Sequence, residues 1–260
     1  MSLMFRSFAG LVATSRDAAK ADMLLRGGLE FAAATVKGQG ALPLVATVHV
    51  LPLGGGGVRV VLSDDGGRIN VNRAAMSLLA ALFQAAGVPS AEARAIAQAT
   101  VAWRIRNGAD PSKTAQVAAM TNMGIAPFVD LRQLAQVPGM RADYLAAVMP
   151  LATVFGDDRI NVMTAPDAVI GALPGISAGA RETLLATRQL GVRAVQNIFP
   201  SLGNGQAYLK WDGKPIARAD LTATLPDGYI KMAQAIIVVV AQDSQPFRIL
   251  AWTPLSSASE

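Results

Sequence analysis

The chain contains two pairs of adjacent carboxylates that could act in acid–base catalysis or bind a metal: Asp64 with Asp65, and Asp157 with Asp158. Paired carboxylates can serve as general acid and base, and their oxygens are calcium ligands. Neighbouring side chains on extended backbone point apart, however, and aspartate before glycine is common in turns. No Asp-x-Asp-x-Asp-Gly loop is present. The pattern therefore favours turn residues over an active site or a calcium site.

Other catalytic signatures are weak. His49 is the only histidine and lies within a predicted strand, and no Gly-x-Ser-x-Gly motif accompanies it. The four glycines at 54–57 are not followed by Gly-Lys-Ser/Thr, so they predict a hairpin turn rather than a phosphate loop. The chain has no cysteine, which excludes disulfides and thiolate metal sites. We predict that the protein is not an enzyme and needs no cofactor.

Each aspartate pair precedes nearly the same five residues, RINVN at 68–72 and RINVM at 159–163. Strand alternation places Ile69 and Val71 on one face, so each copy predicts a short half-buried strand. Both copies then become helical, turn at a glycine, and become helical again: GVPSAEARAI begins at Gly87 and GISAGARETLL at Gly175. The sequence therefore predicts an internal duplication of a strand followed by a helical hairpin.

Two stretches resemble helix-hairpin-helix elements, VPGMRADYLAAV from Val137 and LPGISAGARETLL from Leu173. Such turns present backbone N–H groups to a phosphate through a Pro-Gly-apolar-Gly sequence. The second glycine is replaced here by Arg141 and Ser177, although Arg141 and Arg181 could still contact a phosphate. The net charge of +5 comes from scattered residues rather than a basic run. A packing role is favoured, and a soluble nucleic-acid-binding protein is the alternative.

An amphipathic helix is predicted near the N-terminus, beginning after a cap at Ser15 and ending at Gly38. Gly27 and Gly28 lie in its middle and lower its helix propensity, which indicates close approach by another element. The apolar stretch before it, residues 7–14, is shorter than the roughly 20 residues that span a membrane. This helix is the first element that could position a contact surface.

The order of the predicted elements indicates an α+β fold with an inserted helical domain. Helix and strands occupy residues 1–73, and helices occupy residues 74–150. A second strand-plus-hairpin unit covers residues 151–199. Residues 200–260 return to strands, with ADLTATL, GYIKMAQAIIVVVAQDS and FRILAWTPL predicting an antiparallel meander.

Several of these motifs, in this order, resemble protein K of the bacterial type II secretion system. They are DDGGRINVNRA, AEARAIAQATVAWR, PFVDLRQLAQVPGM, and RINVMTAP with ALPGIS; RGGLEFA resembles the end of that family's N-terminal helix. The resemblance covers about residues 15–190. It implies a pseudopilin fold, in which an N-terminal helix packs on an antiparallel sheet, with a large inserted helical domain containing helix-hairpin-helix or SAM-like elements.

The resemblance also implies a function. Minor pseudopilins of this family cap the tip of the periplasmic pseudopilus with the I and J pseudopilins, support protein export, and are not enzymes. They carry a leader that prepilin peptidase removes and a hydrophobic segment in the inner membrane. Neither is present in the sequence, so we expect either a longer gene product or a divergent relative. We also expect Gly27 and Gly28 to lie at a partner-binding surface within residues 15–36.

Three departures from the family pattern bear on these expectations. Arg73 follows the first copy where threonine is usual, and Met163 replaces the second asparagine in the second copy. Some relatives bind calcium in the helical domain, but the loop at 107–122 keeps only Asp110 of the acidic residues expected there. The resemblance allows calcium as a cofactor, but the missing acidic residues argue against it in this chain.

Overall fold

The structure is a computed structural model that describes residues 2–40, 43–108, 127–211, 216–239 and 245–255, with side chains described from Ser15 onward and not at Gly108. The chain forms two compact units. One consists of Met1–Asp64 with Lys214–Glu260, and the other of Asp65–Gly213. Because the second unit interrupts the first in sequence, the predicted α+β fold with an inserted helical domain is confirmed. The predicted segments 74–150 and 151–199 both lie inside the second unit.

The first unit combines a long helix with a five-stranded antiparallel sheet. Helix α1 covers Ser2–Gln39, and the sheet has the order β1-β2-β7-β8-β9. Its strands are β1 (Thr47–Leu53), β2 (Gly56–Asp64), β7 (Ile216–Thr224), β8 (Ile230–Val238) and β9 (Arg248–Leu255). The glycine-turn hairpin and the C-terminal meander predicted from the sequence are therefore confirmed, and β7 pairs with β2 across the insertion.

The boundaries predicted for the first helix are wrong. Since α1 begins at Ser2, Ser15 lies inside the helix rather than at its N-cap. Gln39 is its last residue, and Gly40, with φ of 62°, follows it. A left-handed residue just after a helix is usually glycine, because glycine has no Cβ to clash there. Ser15 and Gly38 were predicted to be the ends of this helix. The chain is instead already helical over residues 2–14 and remains helical through Gln39.

One face of the sheet buries α1, and small side chains allow a close approach. Alternate β7 residues point to the helix, so Ala217, Ala219, Leu221 and Ala223 are buried while their neighbours lie on the opposite face. The helix contributes a stripe of apolar residues to the same core: Ala21, Leu24, Leu25, Leu29, Ala32 and Val36. Burial of this stripe stabilises the helix more than its propensity does.

The second unit is mainly helical, with two very short parallel strand pairs. Its helices are α2 (Met76–Ala85), α3 (Ser90–Gly108), α4 (Ala142–Val148), α5 (Asp167–Ala172), α6 (Ala178–Arg188) and α7 (Val192–Ile198). Three 3₁₀ segments cover Asp65–Gly67, Leu131–Gln136 and Phe199–Tyr208. Strands β3 (Ile69–Asn70), β4 (Ala152–Thr153), β5 (Ile160–Asn161) and β6 (Leu209–Lys210) are two residues each.

The core of the second unit holds large apolar side chains from both copies of the repeat. Phe83 and Phe128 are fully buried, and Trp103 stacks on Phe128 with ring centroids 4.0 Å apart. Offset stacking of this kind stabilises a core beyond the apolar area it buries. The expectation that residues 200–260 return to strands needs correction at its start. Gln206 lies in a 3₁₀ segment, and the strand after it belongs to the helical unit.

Candidate functional site

The two copies of the repeat have the same local structure. Asn70 and Asn161 each end a two-residue strand, which pairs in parallel with β4 in the first copy and with β6 in the second. The side-chain Oδ1 of Asn70 accepts from the Asn72 N–H at 2.8 Å, and that of Asn161 accepts from the Met163 N–H at 3.1 Å. An asparagine that bonds the backbone two residues ahead closes a tight turn. The predicted duplication is confirmed down to the hydrogen bonds of this turn.

The helical hairpins of the two copies also match. Gly87, with φ of 85°, joins α2 to α3, and Gly175, with φ of 76°, joins α5 to α6. The Ser177 hydroxyl caps α6 by accepting from the Ala180 N–H at 3.2 Å. In the first copy α3 begins at Ser90 itself. Each copy is thus a strand, an asparagine turn and a hairpin with a left-handed glycine.

The copies differ where Asn72 corresponds to Met163. The Asn72 amide accepts from the Phe128 N–H at 2.8 Å and donates to the carbonyl oxygens of Phe128 and Val154 at 2.8 and 3.0 Å. It therefore satisfies backbone groups of two separate segments. Asparagine is suited to this position because its amide both donates and accepts. The half-buried Met163 side chain cannot make such bonds.

The two copies contact each other at Gly67. A Cβ added to Gly67 would lie 2.5 Å from both the carbonyl carbon and the oxygen of Thr164. Asn70 also reaches the second copy, since its Nδ2 donates to the Gly156 oxygen at 2.8 Å. The glycine of the first turn is therefore required for the backbone of the second copy to approach.

The structure does not bring the aspartate pairs together as an acid–base or metal site. Asp65 is 1% exposed, accepts from the Thr153 hydroxyl, and lies 3.4 Å from a guanidinium nitrogen of Arg68. Asp157 is exposed and pairs with Lys210. Buried carboxylates need such partners. Asp65 thus joins the turn to β4, which agrees with the structural role favoured by the sequence.

His49 is half-buried beside α1 and is placed as a packing residue. Its Nε2 lies 3.0 Å from the Thr47 hydroxyl, and its ring contacts Phe31 edge-on, with centroids 4.9 Å apart. Both neighbours are structural, and no acidic partner for a catalytic triad is among these contacts. The structure therefore gives His49 the structural role that its isolation in the sequence predicted.

The arginines considered for phosphate contact are held by local partners. Arg141 forms a bidentate salt bridge with the Asp143 carboxylate, in which Nε and Nη2 donate at 3.0 and 2.8 Å. Its guanidinium group also lies over the Tyr144 ring. The hydrogen bond from Arg141 lowers the pKa of Asp143, and hydrogen bonding to Glu92 raises the pKa of Tyr144. Arg181 donates to the Leu173 oxygen at 3.1 Å and so ties α6 to its own hairpin. Arg141 is therefore engaged by a carboxylate of its own helix and is not arranged around a phosphate site.

Arg104 is a half-buried cation with incomplete hydrogen bonding. One nitrogen, Nη1, donates to the Ala74 oxygen at 2.9 Å, whereas Nε and Nη2 are buried and have no hydrogen-bond partner among the described residues. Burial lowers the pKa of Arg104 to about 10. Because the folded state holds this proton less tightly than the unfolded state, the charged group destabilises the fold at neutral pH, and this penalty disappears as pH rises above about 10.

Replacing Arg104 with methionine should therefore stabilise the protein. The full pKa shift corresponds to roughly 3 kcal/mol, but partial access of water screens the charge, so we expect a gain of about 1 kcal/mol in the free energy of unfolding at pH 7. Urea denaturation followed by circular dichroism measures it. Arg104→Lys keeps the charge and should give no gain. A less stable Arg104→Met protein would show that the Ala74 hydrogen bond outweighs the burial cost.

Among the residues that the structure describes, no group of three or more acidic or histidine side chains is placed to hold a metal ion. Most of the loop at 107–122, where the resemblance allows calcium, lies outside those residues. Calcium binding there stays a prediction.

Gly27 and Gly28 face the sheet of their own chain. A Cβ at Gly27 would lie 2.9 Å from Leu53 Cδ1, and one at Gly28 would lie 2.9 Å from Val58 Cγ2. The close approach predicted from the two glycines is therefore confirmed, and the element that approaches is the sheet. Whether they also support partner binding stays a prediction.

The opposite side of α1 is open along its described length. Its exposed residues recur every three or four positions and include Arg16, Ala19, Met23, Arg26, Glu30 and Ala34. We call this the outer stripe of α1. Met23 is 73% exposed, which is unusual for a large apolar side chain.

Comparison with known proteins finds a family similarity over part of the chain. Residues 58–157 match the profile of the family described as type II secretion system (T2SS), protein K. This segment includes the first copy of the repeat and the Asn72 contacts. Over this segment the chain is similar to protein K of the type II secretion system. None of the curated proteins compared with the sequence matches it.

A solved structure has a similar fold over nearly the whole chain. It is a chain of the crystal structure of the GspK-GspI-GspJ complex from the enterotoxigenic Escherichia coli type 2 secretion system. The similarity covers 97% of this chain and 99% of that chain, with a TM-score of 0.58 and 17% sequence identity. It supports the fold of both units, including the parts outside the matched profile.

Within the described ranges, no helix is both long enough and apolar enough to cross a membrane.

Proposed function

We propose that this chain is a minor pseudopilin of the protein K family that caps the tip of the periplasmic pseudopilus in complex with the I and J minor pseudopilins, and so supports protein export. The similarity to a chain of the GspK-GspI-GspJ complex, over 97% of this chain, is the observation that carries the proposal. A cap requires a rigid body with contact surfaces rather than a reaction pocket. Both units have well-packed cores, and the acidic residues occupy structural positions.

The outer stripe of α1 is the surface that we assign to these partners. It lies opposite the residues that pack on the sheet, so it is available without disturbing the core. Its small residues allow another helix to approach, and Met23 supplies an apolar anchor. Arg26 and Glu30, four positions apart, add charges of both signs at which a partner could be oriented.

Changing Met23 to aspartate should weaken binding to I and J by about tenfold or more, because a charge would enter a desolvated contact. The measurement is co-purification of the tagged chain with the I and J pseudopilins of the same genome, followed by affinity measurement on the isolated partners. Met23 is exposed in the free chain, so the substitution should leave its thermal stability unchanged.

Arg59→Glu is the matched control, since Arg59 is an exposed residue on the opposite face of the sheet. It changes charge in the same unit without touching the outer stripe of α1. Undiminished binding of the Met23 variant would contradict the assigned surface. Failure of the unaltered chain to bind I and J would contradict the proposed function itself.

Bulky substitutions at Gly27 or Gly28 would test the partner role less cleanly. The new side chain would first meet Leu53 or Val58, so it would displace α1 from the sheet. Lost partner binding in such a variant would have to be compared with its loss of stability. Substitutions in the outer stripe of α1 do not meet the sheet, so they separate an effect on partner binding from an effect on stability.

We further propose that the protein acts in the periplasm and is held in the inner membrane by a hydrophobic segment that prepilin peptidase exposes. The similarity of residues 58–157 to protein K of the type II secretion system supports the periplasmic role. The co-purification described above should therefore use protein expressed from the native locus, in which any leader and anchor are present. Recovery with the membrane fraction, together with I and J, is expected. Recovery only from the cytoplasm would contradict the proposal.

A further inference from the structure

A groove of about 640 Å³ lies within the second unit, between the helical hairpins of the two repeat copies. Helices α2 and α3 form one side, and the turn from α5 to α6 forms the other. Its volume is in the range of pockets that bind small ligands and short peptide segments. No role in the proposed tip complex has been assigned to it above.

The floor of the groove is apolar and its rim is polar. Buried Leu173 and several alanines form the floor, while the exposed Gln84 and Gln98 contribute amides at the rim. Met76 also lines the groove and is 56% exposed. Large apolar side chains beside a concave surface commonly mark a binding region. The lining therefore fits a chain segment with both apolar and polar groups.

Two arginines give the groove a positive charge without an internal counterion. Arg94 and Arg181 line it, and none of the lining residues is acidic. Arg181 is fixed by its bond to the Leu173 oxygen, but its Nε is buried and has no partner in the part of the chain that the structure describes. Across the residues that the structure describes, Arg94 makes no hydrogen bond or ion pair. A guanidinium pair of this kind is complementary to carboxylates.

We propose that this groove binds an acidic peptide segment of a partner protein. Carboxylates of the segment would accept hydrogen bonds from Arg94 and Arg181, the glutamine amides would bond its backbone, and its apolar side chains would cover Met76 and the alanine floor. A phosphate backbone fits less well, since two arginines do not form a basic track and the floor is apolar. The inference does not depend on tip capping, because it concerns a different surface of the chain.

Selection from a random displayed short-peptide library, carried out on the full chain, tests the proposal. The peptides recovered should be enriched in Asp and Glu relative to those recovered on the Arg94→Gln/Arg181→Gln double variant. A synthetic peptide from the enriched pool should bind the double variant at least about tenfold more weakly by fluorescence anisotropy, because two charge-assisted contacts are lost. Replacing its acidic residues with Asn and Gln should have a similar effect.

Arg193→Gln removes an exposed arginine of α7 that does not line the groove, and it should bind the peptide as the parent does. The single variant Arg94→Gln is a second control, in case the double variant misfolds. Because Arg94 is exposed, this change should leave thermal stability unchanged and weaken peptide binding several-fold. Equal enrichment on parent and double variant would overturn the proposal. So would binding of a thymidine oligonucleotide that is lost in the double variant while no acidic peptides are selected.

Discussion

Replacing Gly67 with alanine should lower the free energy of unfolding of the helical unit by on the order of 3 kcal/mol, the upper end for overpacking in a close-packed interior. The added Cβ would lie 2.5 Å from the carbonyl carbon and oxygen of Thr164 and 2.7 Å from the Ala165 nitrogen. These are backbone atoms that cannot rotate away as a side chain can. Relief would require the two copies of the repeat to separate locally.

Urea denaturation followed by circular dichroism measures the loss, and hydrogen exchange of peptides covering residues 65–73 and 160–166 shows whether it is local. Gly171→Ala is the matched control, because a Cβ there meets nothing within 4 Å and the residue lies in α5. That change should be neutral or slightly stabilising, since alanine has the higher helix propensity. Similar midpoints for both variants would show that the copies are not in close contact at Gly67.

Exchanging the residues that distinguish the two copies should have unequal effects on stability. Asn72→Met removes one accepted and two donated hydrogen bonds and leaves the buried N–H and carbonyl of Phe128 without the partner they have now. An unsatisfied buried backbone group costs roughly 1–3 kcal/mol, so the variant should lose about 3 kcal/mol in total. The fluorescence of Trp103, which stacks on Phe128, should change as well.

Met163→Asn is the reciprocal change and should alter stability by less than about 1 kcal/mol, because Met163 is half-buried and the turn hydrogen bond uses its backbone N–H. Thermal and urea unfolding of both variants give the comparison. An equal loss of unfolding free energy in the two variants would mean that the hydrogen bonds of Asn72 add no stability beyond what Met163 provides in the second copy. The experiment therefore measures what the first copy gained or the second copy lost after duplication.

Local sequence patterns were sufficient for the features that depend on neighbours in the chain. Alternation and glycine turns predicted β1, β2 and the C-terminal meander, and the helical periods predicted both hairpins. Gly87 and Gly175 could be read as turns because glycine favours the left-handed backbone that each adopts. The repeated RINV segment indicated the duplication, since equal residues at equal spacing make equal turns.

Sequence reasoning missed the groove and its arginines. Arg94 was one of many scattered arginines, and Arg181 was considered only for phosphate contact at its hairpin turn. Their common location depends on how α3 and α6 are brought to the two sides of one groove. The repeated hairpins in the sequence indicated that two similar helical pairs occur in the fold. The spacing of residues along each hairpin does not determine in which direction the Arg94 and Arg181 side chains point.

By itself, the sequence determined the α+β class, the inserted helical region, the duplicated unit and the resemblance to protein K, because these rest on periodicity, turn residues and motif order. Only the tertiary structure decided that each repeated strand pairs in parallel with a distant two-residue strand, that Asp65 is buried under Thr153, and that Gly27 and Gly28 face their own sheet. Those contacts join residues far apart in the chain. Which distant segment satisfies a hydrogen bond or fills a gap is set by the packing of the whole unit, and not by local preference.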